Sequence, residues 1–418
     1  SVRDYISNNL GPYLNQPYST NAVPSALVQL TSSGKINIDQ IPALRPFSIT
    51  SVASQAERLA IEDASAGDIA IETTATSFSV APAAVNTGTD RITITEENNL
   101  TVVRARIRLY QPGPLHRIPP IYRASVRARE RLALRMFDAY KQQNGIPDII
   151  HAKCTMWGAI LAQAISKREK IPFIVTAGAS VFARGIVGPR ERKTAKQALE
   201  SANQLLSVSS TLAEDLERIL EISATEFTTV PNMIDLHNFP TKAPAQNSEF
   251  TFGYLANLVV DKGHDTLLHA LMNVPNCRLL LGGSGPLRSQ LENLCSELNI
   301  SNRVTFLGPI PRGEAHTFFQ QIDAFVHPSR YETFGIVLLE SLASGRPVVA
   351  TRCGGPNDIV REQDGILVPV DDAKGLAKGM QQLMQQDWDA TAMRAGVEER
   401  YTKDTIRQQL LEIYKHHL

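Results

Sequence analysis

Cysteine is scarce in this chain. Cys154, Cys277, Cys295 and Cys353 are the four present among 418 residues, and no two form a C-x-x-C pair. That pattern argues against a disulfide framework and against a cysteine zinc site, so a reduced, cytosolic setting is expected. Long apolar runs are missing too: no stretch of eighteen or more apolar residues occurs, and no basic segment followed by an apolar run opens the sequence. The expectation is a chain that neither spans a bilayer nor carries an export signal, with peripheral membrane contact at most. Net charge is also absent, since 42 Lys plus Arg stand against 42 Asp plus Glu. With no global field to hold nucleic acid, no nucleic-acid partner is expected, and partners must be read from local sites. At 418 residues the chain is long enough for at least two cores.

The neutrality is an average of unlike parts. Residues 1–100 hold five basic residues and ten acidic ones, a net of 5 − 10 = −5, and the remainder carries 37 − 32 = +5. The first hundred residues are rich in Ser, Thr, Asn and Pro. They show short β-leaning runs at Ile69 and at Arg91-Ile-Thr-Ile-Thr, turn signals at Asn86-Thr-Gly-Thr-Asp, and one short helical stretch, Gln55 to Asp63. A β-rich segment with so little core-forming material needs partner chains to bury its strands.

From about Thr101, apolar runs of four or five residues alternate with helix-length amphipathic stretches, the pattern of βαβ units on a parallel sheet. Asp148-Ile-Ile-His, Phe173-Ile-Val-Thr, Leu205-Leu-Ser-Val and Phe227-Thr-Thr-Val are expected strands of one sheet, in a domain over 101–239. A proline-containing stretch from Pro240 reads as a linker. Phe250–Leu255, Arg278–Gly282, Val304–Gly308, Ala324–His327, Val348–Thr351 and Ile366-Leu-Val-Pro then belong to a second, complete doubly wound domain over 249–400. Residues 401–418 form a final amphipathic helix.

Open parallel sheets bind ligands at the carboxyl ends of their strands, which directs attention to three loops. Lys262-Gly263 precedes a helix start, where a lysine adds its charge to free backbone N–H groups and suits a diphosphate; a solvated loop lysine is the other reading. Gly282-Gly-Ser-Gly-Pro, containing Gly283 and Gly285, lets backbone approach a ligand closely, although tight turns use the same residues. The most informative run is His327-Pro-Ser-Arg-Tyr-Glu-Thr-Phe-Gly-Ile-Val-Leu-Leu-Glu. There Glu332 lies in a loop and Glu340 about two helical turns beyond, roughly 12 Å if all of it were helical. A carboxylate accepts two hydrogen bonds from a vicinal diol, so Glu332 suits sugar hydroxyls and Glu340 suits ribose hydroxyls. The N–H groups of Phe334, Gly335 and Ile336 suit the diphosphate between them. Two helix-surface glutamates would be the bland alternative.

These residues, with Arg303-Val-Thr-Phe-Leu-Gly308 and Asn232-Met-Ile-Asp235, resemble a retaining glycosyltransferase of family 4 over about 101–418. The resemblance implies the GT-B fold, two Rossmann-like domains across a cleft, the first incomplete. It implies a nucleotide diphosphate sugar as donor substrate, a sugar, lipid-linked or other hydroxyl acceptor, and no cofactor or metal. By the same resemblance Lys262 holds the donor diphosphate, Glu332 the transferred sugar, Glu340 the ribose, and backbone near Phe306 and Leu307 the base. Residues 401–418 resemble the helix that crosses back to the first domain.

Departures from the family pattern are specific. Asn257 stands where an arginine is usual. His151 remains of a segment that usually ends in two histidines, and is either a catalytic or a structural histidine. Ala177 and Gly178 replace a usual Glu-His pair. The expected first strand and Gly-rich loop are not found in residues 1–100, which instead resemble a bacteriophage tail-fibre or appendage module at Gly34 to Leu44, Ser54 to Ala60 with Gly67 to Ala70, and Ala84 to Thr95. That implies possible homotrimer formation and, as an alternative to the cytoplasm, a virion location. An acceptor-binding insertion or divergent first subdomain is the other reading. Two further possibilities stay open: a structural or adhesive phage protein with a non-catalytic transferase-like part, or a joining of unrelated pieces near residue 100. Finally, Arg123, Arg127, Arg131 and Arg135 recur every four residues, forming either a solvated helix face braced by Glu130 or a surface for anionic membranes.

Overall fold

The structure, a computed structural model, describes residues 92–97, 100–105, 119–241 and 249–417. The expected helix at Gln55, the strand at Ile69, most of the fibre-like segment and the trimer it implies, and most of the linker after Pro240 lie outside these residues. Within them, β1 (Ile92–Glu97) and β2 (Leu100–Ala105) pair as an antiparallel hairpin. The long helix α1 (Pro119–Asn144) follows. Arg123, Arg127, Arg131 and Arg135 are exposed on it, while Leu132, Phe137 and Tyr140 are buried.

The first parallel sheet contains β3 (Ile150–Ala152), β4 (Phe173–Ala177), β5 (Gln204–Ser207) and β6 (Phe227–Thr229) in sequential order. Helices α2 (Trp157–Glu169), α3 (Pro189–Leu199) and α4 (Ser210–Leu220) connect them. All five residues of β4 are buried, as a strand covered on both faces requires.

The second sheet is built from β7 (Phe250–Leu255), β8 (Cys277–Gly282), β9 (Val304–Gly308), β10 (Ala324–His327), β11 (Val348–Thr351) and β12 (Gly365–Val368). Its order is β9-β8-β7-β10-β11-β12, all parallel, which in domain numbering is 3-2-1-4-5-6. Such a sheet reverses its winding between its first and fourth strands, here β7 and β10, and a crevice opens beyond their carboxyl ends. The loops leaving β7 and β10 carry Lys262 and Glu332. Topology alone therefore brings together two residues seventy positions apart.

Around this sheet stand α5 (His264–Met272), α6 (Arg288–Glu297), α7 (Ala315–Phe319), α8 (Ile336–Ala343), α9 (Pro356–Ile359), α10 (Ala373–Gln385) and α11 (Ala390–Tyr401). Helix α12 (Lys403–Lys415) then leaves the second domain: Ile406 and Leu410 pack with Ile174, Leu206, Val230 and Met233 of the first. Among the described residues no helix is long and apolar enough to cross a membrane.

Candidate functional site

Lys262 ends a 3-10 turn and is followed by Gly263 at φ 63°, a left-handed conformation. A Cβ at Gly263 would sit 2.0 Å from the carbonyl oxygen of Pro328, so only glycine lets the Lys262 loop lie against the loop after β10. From beneath, the buried Tyr254 hydroxyl donates to the Lys262 carbonyl at 2.7 Å. The ammonium of Lys262 meets Glu332 Oε2 at 2.6 Å. Burial by itself would raise the Glu332 carboxyl, but Lys262 and its other neighbours hold it below the usual carboxylate range. The backbone of Glu332 is fixed as well, its N–H donating to Cys353 O at 3.0 Å and its carbonyl accepting from the Gly355 N–H at 2.9 Å.

Helix α8 starts at Ile336, after Gly335 at φ 103°. The sequence reading extended helical rise across residues 332–340, but the left-handed Gly335 delays the helix, so Glu340 stands little more than one turn inside it. The roughly 12 Å all-helical estimate does not apply. The Leu338 N–H donates to the Gly335 carbonyl at 2.9 Å, and the Ile336 and Val337 N–H groups precede it at the tip of this eight-residue helix, the end of a helix dipole that favours anionic oxygen. Phe334 is buried edge-on against Tyr401, while Ile336 is partly exposed. Glu340 is 9 % exposed, and burial pushes its carboxyl up to about 7 against the opposing pull of Arg312.

The glycine loop after β8 packs closely on the loop after β7. Cβ atoms at Gly283 and Gly285 would lie 1.8 and 2.4 Å from the carbonyl oxygens of Ala256 and Leu258. The close approach is thus to the neighbouring loop, which Ser284 also holds by accepting from the Leu258 N–H at 2.9 Å. This packing fixes the route of the chain from Asn257, which is exposed, to Lys262. At the end of β9, Phe306 is covered by the Arg288 guanidinium at 4.4 Å, and Leu307 is 39 % exposed.

His151 belongs to a different neighbourhood. Its Nδ1 is 2.6 Å from the Tyr414 hydroxyl on α12 and its Nε2 is 2.6 Å from Thr176 Oγ1, and burial, then Lys153, hold its pKa well below the usual value. Both nitrogens are engaged, and no contact joins this ring to Lys262 or Glu332. The structure therefore pairs Lys262 with Glu332 beside the start of α8, buries Glu340 within that helix, and sets His151 where α12 meets the first sheet.

Several residues here were not singled out from sequence. His264 and His327 flank Tyr254 with ring centroids at 4.9 and 5.9 Å. Burial lowers both pKa values to about 4, so the 3.8 Å approach of His327 to Glu332 is not an ion pair at neutral pH. Arg288 and Arg312 were also missed. Their signal was faint, since exposed arginines after a strand resemble any solvated surface.

Two family models match the chain in tandem: Glycosyltransferase Family 4 over residues 88–238 and Glycosyl transferases group 1 over residues 237–400. The first match takes in β1, whose residues up to Thr95 the sequence alone had grouped with the fibre-like segment, so that part of the fibre reading is not supported. A glycosyltransferase of Methanocaldococcus jannaschii is 32% identical over 187 residues, covering 43% of this chain and 48% of that protein. The chain spans about half or less of the length of the first curated relatives it matches. Among solved structures, the sucrose-phosphate synthase of Thermosynechococcus elongatus superposes with a TM-score of 0.60 at 24% identity, covering 70% of this chain and 78% of that one. An Anabaena protein solved in complex with UDP-glucose gives 0.56 at 20% identity, with coverages of 72% and 84%. These likenesses show the fold.

Proposed function

Residues 88–400 make up the two domains of a family 4-like glycosyltransferase of GT-B fold, and on that premise we propose that the chain moves a hexose from a nucleotide diphosphate sugar to a hydroxyl acceptor, keeping the anomeric configuration. The observation that carries this reading is the Lys262–Glu332 pair, held at 2.6 Å beside the α8 tip. The donor diphosphate rests on the first N–H groups of α8 with Lys262 turned toward it. Both offset the charge that grows on the leaving phosphate as the glycosidic bond breaks. Lys262 then exchanges Glu332 for phosphate, and the freed carboxylate accepts from hydroxyls of the transferred sugar. Glu340 accepts from the ribose, and the surface near Phe306 and Leu307 takes the base.

Retention follows from attack on the face the leaving group departs from, with a donor phosphate oxygen taking the acceptor proton. Closing of the two domains excludes water from the reacting centre. The similarity of fold to a protein solved with UDP-glucose supports this class of donor. The test is to incubate the chain with UDP-, GDP- and ADP-hexoses and simple glycoside acceptors, and to follow the product anomer by proton NMR. An axial donor giving an axial product supports the reading. Inversion refutes retention, and no transfer from any donor refutes the activity.

A further inference from the structure

Four sets of polar contacts from the first domain to the second fall close to Lys262 and Glu332. Arg184, in the loop after β4, pairs with Asp261 at 2.7 Å, one residue before Lys262. The Tyr331 hydroxyl, one residue before Glu332, donates to Asp215 of α4 at 2.9 Å. Ser209 Oγ donates to the carbonyl of Thr333, one residue after it, at 2.7 Å. The Ser210 N–H and hydroxyl donate to the two carboxylate oxygens of Asp358, each at 2.6 Å. Asp358 belongs to α9, which opens beside Gly355, the donor to the Glu332 carbonyl.

Glu332 is thus bracketed by the other domain. Its neighbours on both sides are tied to helix α4, and the loop beneath it is tied there through Asp358. Ser209 joins the two roles, because its side chain also accepts from the Leu212 N–H as the N-cap of α4. The Asp358 carboxylate faces the positive end of the same helix. One rigid element therefore holds the loop on either side of a carboxylate that lies far from it in sequence.

We propose that the start of α4 positions Glu332, with Ser209, Ser210 and Asp215 as positioning residues acting from the first domain through Thr333, Asp358 and Tyr331. This rests on the reading of Glu332 as the sugar-holding carboxylate. With α4 docked, the residues on both sides of Glu332 are held before any ligand binds, and that hold aligns the carboxylate for the sugar. A displacement of about 1 Å at such a group costs on the order of a hundredfold in rate, so contacts that are individually weak control turnover.

The experiment compares the full chain with Tyr331→Phe, which keeps the ring, and with Asp215→Ala and Asp215→Asn. Two readouts are taken: amide hydrogen exchange of residues 330–336 without ligand, and steady-state transfer alongside calorimetric titration with UDP, GDP and ADP. Exchange over 330–336 is expected to quicken several-fold in Tyr331→Phe and Asp215→Ala. Their kcat is expected to fall about tenfold while nucleotide Kd stays within twofold, and Asp215→Asn, which keeps an acceptor oxygen, recovers most of the loss. Unchanged exchange and kcat, or an effect confined to KM, overturns the proposal. If the parent chain transfers no sugar but exchange responds as stated, positioning by α4 stands and the donor reading of the site fails.

Discussion

At the scale of single residues, Glu340 gives the sharpest prediction because its proton is linked to its task. Its carboxyl is raised to about 7 in the folded chain by burial. A raised acid stabilises the fold while protonated, so that contribution is fully present below the unfolded value near 4.5 and is lost as pH rises through 7. Nucleotide binding runs the other way, since ribose hydroxyls need the ionised carboxylate as acceptor. Calorimetric nucleoside diphosphate affinity is therefore expected to improve from pH 6 to pH 8, and Glu340→Gln to flatten the part of that trend absent from the ligand's own titration. Lys262→Ala is expected to lower kcat about a hundredfold with a smaller effect on nucleotide Kd, which steady-state kinetics and titration together measure. A loss of nucleotide affinity with kcat unchanged would put Lys262 in ground-state binding only. The Lys262–Glu332 pairing is consistent with the sequence reading, which put both residues in loops after buried strands of one parallel sheet. Asp215, Tyr331 and Asp358 were not legible in the sequence, since their meaning lies in partners over a hundred residues away.

At the scale of elements, runs bounded by turn residues located the strands of both parallel sheets, most clearly β4, β10 and β11, whose burial on both faces leaves continuous apolar residues. Backbone conformation was less visible. Gly335 sets where α8 begins, and its φ of 103° has no signature beyond the residue itself. The sequence offered ligand approach or a tight turn for Gly283 and Gly285, and gave no sign of their close packing on Ala256 and Leu258. The loop contact at Gly263 predicts that Gly263→Ala forces the Lys262 turn away from Pro328. Turnover should fall by tenfold or more, with a drop in melting temperature of several degrees. Melting and kinetics check this, and an unaffected variant would show that the Lys262–Glu332 meeting does not depend on that close contact.

At the scale of the whole molecule, the chain crosses between domains twice, once after residue 239 and again at Thr402, where Ile234 N–H donates to Tyr401 O at 2.9 Å. Helix α12 covers Ile174, Leu206, Val230 and Met233. A chain ending at Thr402 is expected to unfold its first domain at lower temperature than its second, seen as a separate early transition by calorimetry; a single transition at the parent temperature would refute that role. The central claim is that Lys262, Glu332, Glu340 and the α8 tip are one nucleotide-sugar site. Titrating the chain with UDP, GDP and ADP by isothermal calorimetry tests it most directly. The account predicts that at least one binds at a single site and that Glu340→Ala weakens it tenfold or more. Failure of all three to bind, or equal binding by the variant, would contradict it.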